Sequence, residues 1–155
     1  MTRWSIFTRP YLSKPVPHKL SDFPHRLIIP TRWHDNDVYG RVNNVVYYAW
    51  FDTVVNRFLV DKDVLEVGKS DVVGLVVETG CSYFAPIAFP DDVVAGLRVA
   101  KLGNSSVRYE IGLFRNDETE ASAQGHFVHV YVDEHSRRPV SLPDAMRTVL
   151  SEITV

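Results

Sequence analysis

The stretch RWHDNDVYGRVNN, residues 32–44, sets two carboxylates, Asp35 and Asp37, with one residue between them. Gly40, Arg41, Asn43 and Asn44 follow at once, and an almost wholly apolar run from Val45 to Val60 begins immediately after them. A helix that starts at this junction presents unpaired N–H groups and the positive end of its dipole to whatever lies in front of it. A carboxylate there has two uses. It can cap the helix or pair with a neighbouring cation, as Asp35 can with Arg32 or Arg41. It can also deliver a nucleophile beside a place where growing negative charge is stabilised, and Asp37 is the residue so placed.

Other polar groups are weaker candidates. His126 and His129 have the look of a metal pair, but three residues apart in a strand they point to opposite faces. His34 alternates away from Asp35 and Asp37 in an extended chain. Cys81 lies in a valine-rich strand without a defined histidine partner, which suits packing better than nucleophilic attack. There is no Gly-x-Ser-x-Gly elbow for a serine triad and no phosphate-binding glycine loop.

Positioning these residues falls to a few elements. HRLIIPTRW reads as a strand with Leu27, Ile29 and Trp33 on alternate positions, and Pro30 puts it at an edge or a bulge. The run from Val45 to Val60 is too long for a typical strand and has no Pro or Gly. Val45, Tyr48, Ala49, Val55 and Leu59 make one apolar face, and Tyr47, Phe51, Val54 and Phe58 a second, which predicts a helix buried on nearly all sides. Asn43 or Asn44 suits its cap. Four segments rich in Val, Phe and Tyr follow, VVGLVVETGCSYF, DDVVAGLRVAKLG, SSVRYEIGLFRND and ASAQGHFVHVYVD. The turn residues between them predict an antiparallel meander. SLPDAMRTVLSEI closes the chain as a short helix with Pro143 and Asp144 in its first turn. A sheet with one face to cover, and one long greasy helix to cover it, predicts an α+β fold in which the sheet curls around the helix.

At 155 residues the chain is the size of one domain, and its formal charge of -2 with no basic stripe gives nucleic acid no purchase. No apolar stretch reaches the roughly 18 residues of a membrane span. A single cysteine excludes an intrachain disulfide and fits a reducing compartment, so a cytoplasmic protein is expected. The first twenty residues carry Arg3, Arg9, Lys14 and Lys19 and no acid, as a presequence does. Pro10, Pro15 and Pro17 would break the helix such a signal needs, so residues 1–22 are expected to be an irregular surface tail and residues 23–155 one domain.

RWHDNDVYGRVNNVVYYAWFD resembles the signature of the hot-dog-fold acyl-CoA thioesterases of the 4-hydroxybenzoyl-CoA thioesterase group. Arg32, Trp33, Asp35, Asp37, Gly40, Val42, Asn43, Asn44, Tyr47 and Asp52 fall in register with that pattern. SYFAPIAFPDDV, KLGNSSVRYEIGLF and RRPVSLPDAMR resemble its later segments, so the similarity runs from about Leu27 to Leu150. One departure stands out: the family often has His before Val-Asn-Asn, and this chain has Arg41. That weakens a mechanism built on histidine there and suggests that a different acyl or leaving group is read at that position.

The resemblance implies a hot-dog fold and a thioesterase releasing a carboxylic acid and free coenzyme A, with no metal or redox cofactor. It aligns Asp37 with the catalytic carboxylate, acting on water or attacking directly, and it points to the backbone N–H near Asn44 as the oxyanion donor. Asp35, Gly40, Arg41, Asn43 and Tyr47 are then candidates for substrate contact, and Lys101, Arg108, Arg137 and Arg138 for the phosphates of coenzyme A. Tyr47, Tyr48 and Phe51 either line an acyl slot or fill the core. A homo-oligomer, dimer or tetramer, is implied because the family's site is completed at a subunit interface. Two other readings compete: a hydratase, which needs a paired histidine and acid, and a non-catalytic acyl-CoA-binding module.

Overall fold

The computed structural model describes residues 15–155, so the tail reading for residues 1–14 lies outside the described residues. The elements are β1 (His25–Pro30), α1 (Asn44–Asp61), β2 (Val72–Tyr83), β3 (Asp92–Leu102), β4 (Ser106–Arg115), β5 (Ala123–Asp133) and α2 (Asp144–Ser151). Single 3-10 turns occupy Leu20–Asp22 and Trp33–Asp35. The five strands form one sheet in the order β1-β3-β4-β5-β2, antiparallel at every pairing.

The meander is therefore only partly right. β3, β4 and β5 run as consecutive hairpins, but β2 leaves the sequence order and pairs with β5 at the far edge. The β2–β3 connection carries Pro86 and Pro90, and residues without N–H cannot extend a ladder into a hairpin. It instead passes over the start of α1, where it becomes part of the site.

Helix α1 lies on the concave side. Its rings touch β1 through Phe58 and His25 (4.8 Å), β5 through Phe51 and Phe127 (6.1 Å), and β2 through Tyr47 and Tyr83 (5.0 Å). One helix can meet both edge strands of a five-stranded sheet only if the sheet curls around it. Gly125 permits the closest approach, because a Cβ there would sit 2.6 Å from the Phe51 ring and 2.2 Å from the Gly80 carbonyl. Trp50, Phe51, Val54, Val55, Phe58 and Leu59 are buried, each contributing about 1.5–3 kcal/mol against exposure. That outweighs the modest helix propensity of the β-branched residues.

The expectation that α1 is covered on nearly all sides is corrected. Val45, Ala49, Asp52, Thr53 and Val60 form an exposed stripe, because the sheet of one chain wraps only about half the cylinder. Trp33 also departs from expectation. Strand β1 ends at Pro30, the chain turns, and the indole is 79% exposed rather than on a buried strand face. Pro30 does sit on an edge strand, since β1 pairs with β3 alone.

On the convex side, Phe23 seats over Gly96 and Gly112, where a Cβ would come within 2.7 and 2.6 Å of its side chain. His18 N–H donates to Gln124 Oε1 (2.6 Å), and Gln124 Nε2 donates to the Val16 carbonyl (3.0 Å). The segment before β1 is thus packed against the sheet.

Candidate active site

Two consecutive turns carry the polar motif. In the first, Asp35 is 2% exposed. Its carboxylate accepts the Arg32 backbone N–H (2.7 Å), Nε–H (3.1 Å) and Nη2–H (2.8 Å). Its carbonyl accepts the Asn43 N–H (2.9 Å), pinning the start of α1 to this turn. In the second turn, Asp37 N–H donates to the Arg41 carbonyl (2.8 Å) and Gly40 N–H to the Asp37 carbonyl (3.1 Å). Gly40 takes φ +77°, a left-handed conformation natural to glycine. The Tyr39 N–H donates to Asp37 Oδ1 (2.8 Å), an Asx turn that orients the carboxylate and leaves Oδ2 open.

Val42 N–H then donates to the Ile87 carbonyl (2.8 Å), and Phe89 N–H to Asn36 Oδ1 (3.1 Å). These bonds clamp the motif loop to the β2–β3 connection.

Asn43 is the N-cap. Its Oδ1 accepts the Val45 N–H (3.1 Å), and its carbonyl accepts the Val46 N–H (2.9 Å). No hydrogen-bond partner reaches the Asn44 N–H among the described residues. The first turn of α1 holds no acidic side chain, so the positive end of its dipole is uncompensated there.

Asn44, with the unpaired N–H, and Asp37, with the open carboxylate oxygen, both line a cleft of about 440 Å³, whose walls also include Arg41, Tyr47, Tyr83 and Pro86. The Tyr83 ring stands edge-on to Tyr47, and its hydroxyl lies 3.5 Å from the Asn44 carbonyl. Burial raises the pKa of Tyr47, whose hydroxyl also feels the opposing charges of Arg41 and Asp37. Tyr83 is raised as well, by burial first and then by its neighbours Cys81 and Tyr48. Burial pushes the Cys81 thiol up to about 11, so it stays protonated near neutrality and is a poor nucleophile.

Of the sequence candidates, Asp37, Arg41, Asn44 and Tyr47 line this cleft. Gly40 and Asn43 shape it from behind, as turn and cap. Asp35 is a correction. Its carboxylate is buried and both of its oxygens are held by Arg32, so it is not presented to substrate. Lys101, Arg108 and Arg137 lie elsewhere. Lys101 is exposed at the end of β3, Arg108 lines a separate cleft on the convex face, and Arg137 sits in the turn after β5 with φ +62°. Arg138 is exposed in that same turn. Phe51 is core, and Tyr48 packs edge-on against it. His129 points inward and is buried, while His126 points outward with Nε2 3.2 Å from Glu78. The sequence reading named no cleft residue on the β2–β3 side, where Tyr83 and Pro86 form a wall. The only hint was the proline-punctuated SYFAPIAFP segment, 39 positions beyond Asn44 at Tyr83.

No helix of the described residues is long and apolar enough to cross a membrane. The family model of the thioesterase-like superfamily matches residues 31–150. The structure of the PA5185 protein from Pseudomonas aeruginosa strain PAO1 is 50% identical, covers 89% of this chain and 96% of its own, and superposes with a TM-score of 0.87. A thioesterase from Thermus thermophilus, solved with coenzyme A and zinc, is 32% identical over 85% of this chain and 95% of its own, with a TM-score of 0.71. A thioesterase superfamily protein of Jannaschia sp. CCS1, 22% identical over 89% of this chain and 93% of its own, shares the fold at a TM-score of 0.76.

Proposed function

The chain belongs to the thioesterase-like superfamily and is a thioester hydrolase, and we propose that it cleaves acyl-CoA to a carboxylic acid and free coenzyme A, with residues 23–155 as the catalytic domain. The observation that carries this reading is the pairing, in one cleft, of an open carboxylate oxygen on Asp37 with the unpaired N–H of Asn44. The thioester carbonyl oxygen accepts that N–H, and the positive end of α1 stabilises the charge that grows there. Donors so aimed are worth about 10²–10³ in rate. Asp37 takes a proton from water as the water oxygen bonds to the carbonyl carbon. The C–S bond then breaks with its electron pair on sulfur, and the proton passes from Asp37 to the thiolate. Coenzyme A enters only as part of the substrate, and the step uses no metal or redox cofactor.

Thiol release from a panel of acyl-CoAs tests the proposal. Wild type turns over at least one of them, and Asp37→Asn loses about 10²–10⁴ in kcat, the usual contribution of a general base. Tight binding without turnover across the panel identifies an acyl-CoA-binding module instead. The hydratase reading has little support, because no histidine lines the cleft among the described residues.

The proposal extends to a homo-oligomer in a cytoplasmic setting. Among the described residues strand β2 pairs on one side only, and its exposed Leu75, Val76 and Val77 give that edge an apolar surface suited to a second copy. Light scattering should return a multiple of 17.7 kDa for wild type and the monomer mass for Val76→Lys. A monomeric wild type at micromolar concentration would refute the assembly.

A further inference from the structure

Arg41 sits in the cleft wall with Asp37, and neither the capping of α1 nor the proton transfer uses it. Arg32, Arg57, Arg98 and Arg115 are each bound to a carboxylate, whereas Arg41 has no carboxylate within ion-pair distance among the described residues. Its guanidinium is steered by the Tyr39 ring, 5.8 Å from the centroid. It stands at the far end of the same tight turn as Asp37, joined by the 2.8 Å backbone bond. Both side chains share the cleft with Tyr47. An oriented, unpaired cation with its fork of donors is a receptor for a carboxylate or phosphate.

Reach separates the two. With the thioester carbonyl at Asn44 and water at Asp37, the reacting carbon lies in the cleft that Arg41 also lines. The phosphates of coenzyme A lie at the other end of the pantetheine arm, two amide units and their methylenes away. A carboxylate on the acyl group, a few carbons from the thioester, falls within the compass of an arginine side chain. Resting on the thioesterase reading, we infer that Arg41 binds an acyl-chain carboxylate, so that the preferred substrates are coenzyme A monothioesters of short dicarboxylic acids.

Succinyl-CoA and butyryl-CoA differ by that carboxylate at nearly equal length, and their N-acetylcysteamine thioesters remove every phosphate. Wild type should favour succinyl over butyryl in kcat/KM by about 10–100-fold in both thiol series, the usual worth of hydrogen bonds to a charged group. Arg41→Gln should bring that ratio to near one in both series, and Arg41→Lys should keep part of it. Calorimetry with Asp37→Asn should show the same preference in Kd. A preference absent from wild type overturns the inference, as does a ratio that survives Arg41→Gln. If Arg41→Gln weakens both coenzyme A substrates equally and spares both N-acetylcysteamine thioesters, Arg41 reads phosphate and the inference fails. Should no thioester be cleaved, the hydrolase reading falls by itself, and equal Kd values for the two acyl groups would separately overturn the role of Arg41.

Discussion

Asp35 and Asp37 stand two positions apart in one polar motif, yet they occupy opposite environments. Asp35 is sealed, and both of its carboxylate oxygens are held by Arg32 donors. Asp37 is half-buried and lines the cleft, and one oxygen is tied while the other has no hydrogen-bond partner among the described residues. A carboxylate whose acceptor sites are filled holds the chain in place, and one with a vacant acceptor can take a proton. The same division runs through the rest of the molecule. In the core, the Tyr109 and Tyr131 hydroxyls satisfy each other at 2.7 Å, and His129 is kept neutral by burial. At the tip of α1, by contrast, an N–H, a carboxylate oxygen and a guanidinium are all left open.

The largest expected effect is on Asp37. Asp37→Asn should cost the 10²–10⁴ in kcat given above while leaving the urea midpoint close to wild type, since only the Tyr39 N–H contact is at stake and the amide oxygen keeps it. A large loss of stability would put Asp37 on the structural side of the comparison.

His129 sharpens the buried side. Its pKa is pushed down from 6.5 to about 4 by desolvation, so the unfolded chain binds a proton that the folded chain refuses. Its neutral form costs nothing above pH 6.5, and stability declines as pH falls from there toward 4, by up to about 3 kcal/mol. His129→Phe keeps an aromatic ring between Phe127 and Tyr131 and removes the unpartnered Nε2. Urea melts at pH 7 and pH 5 should show a steep loss for wild type and a shallow one for the variant. Equal slopes would show that His129 is not the titrating group.

Asp35→Ala is the smallest of the three and the mirror image of Asp37→Asn. Loss of the acceptor frees Arg32, which is exposed and can be hydrated, but strands its backbone N–H and loosens the turn. A cost of about 2 kcal/mol is expected. Activity per folded molecule should fall far less than for Asp37→Asn. A kinetic defect as deep as that of Asp37→Asn in well-folded protein would erase the distinction between the two aspartates.

Much of this arrangement is legible in the residues. The apolar run announced α1 to within a residue at each end, and the Asn43-Asn44 pair marked its cap, which the structure assigns to Asn43, because helix periodicity and capping are settled by neighbours a few positions apart. The four β segments were equally plain from their β-branched and aromatic content. Three features were hidden. The place of β2 beside β5 joins residues far apart in the chain, from Tyr83 with Ala123 to Val72 with Asp133. The exposed stripe of α1 is hidden because Val45, Ala49 and Val60 read as core positions. Tyr83 reaches the start of α1 only after β2 has crossed to the far edge.

The sequence by itself therefore determined the local chemistry: a helix with an asparagine cap, two acids and a glycine turn before it, and an arginine beside that glycine. Tertiary structure decided which acid is saturated and which is free, which side of the helix is covered, and which distant tyrosine closes the cleft. Local outcomes follow from backbone geometry and hydrogen bonds within a few residues, which any window of sequence contains. Saturation, coverage and closure depend on what the curling sheet brings into contact across the chain, and that is set by the packing of the whole.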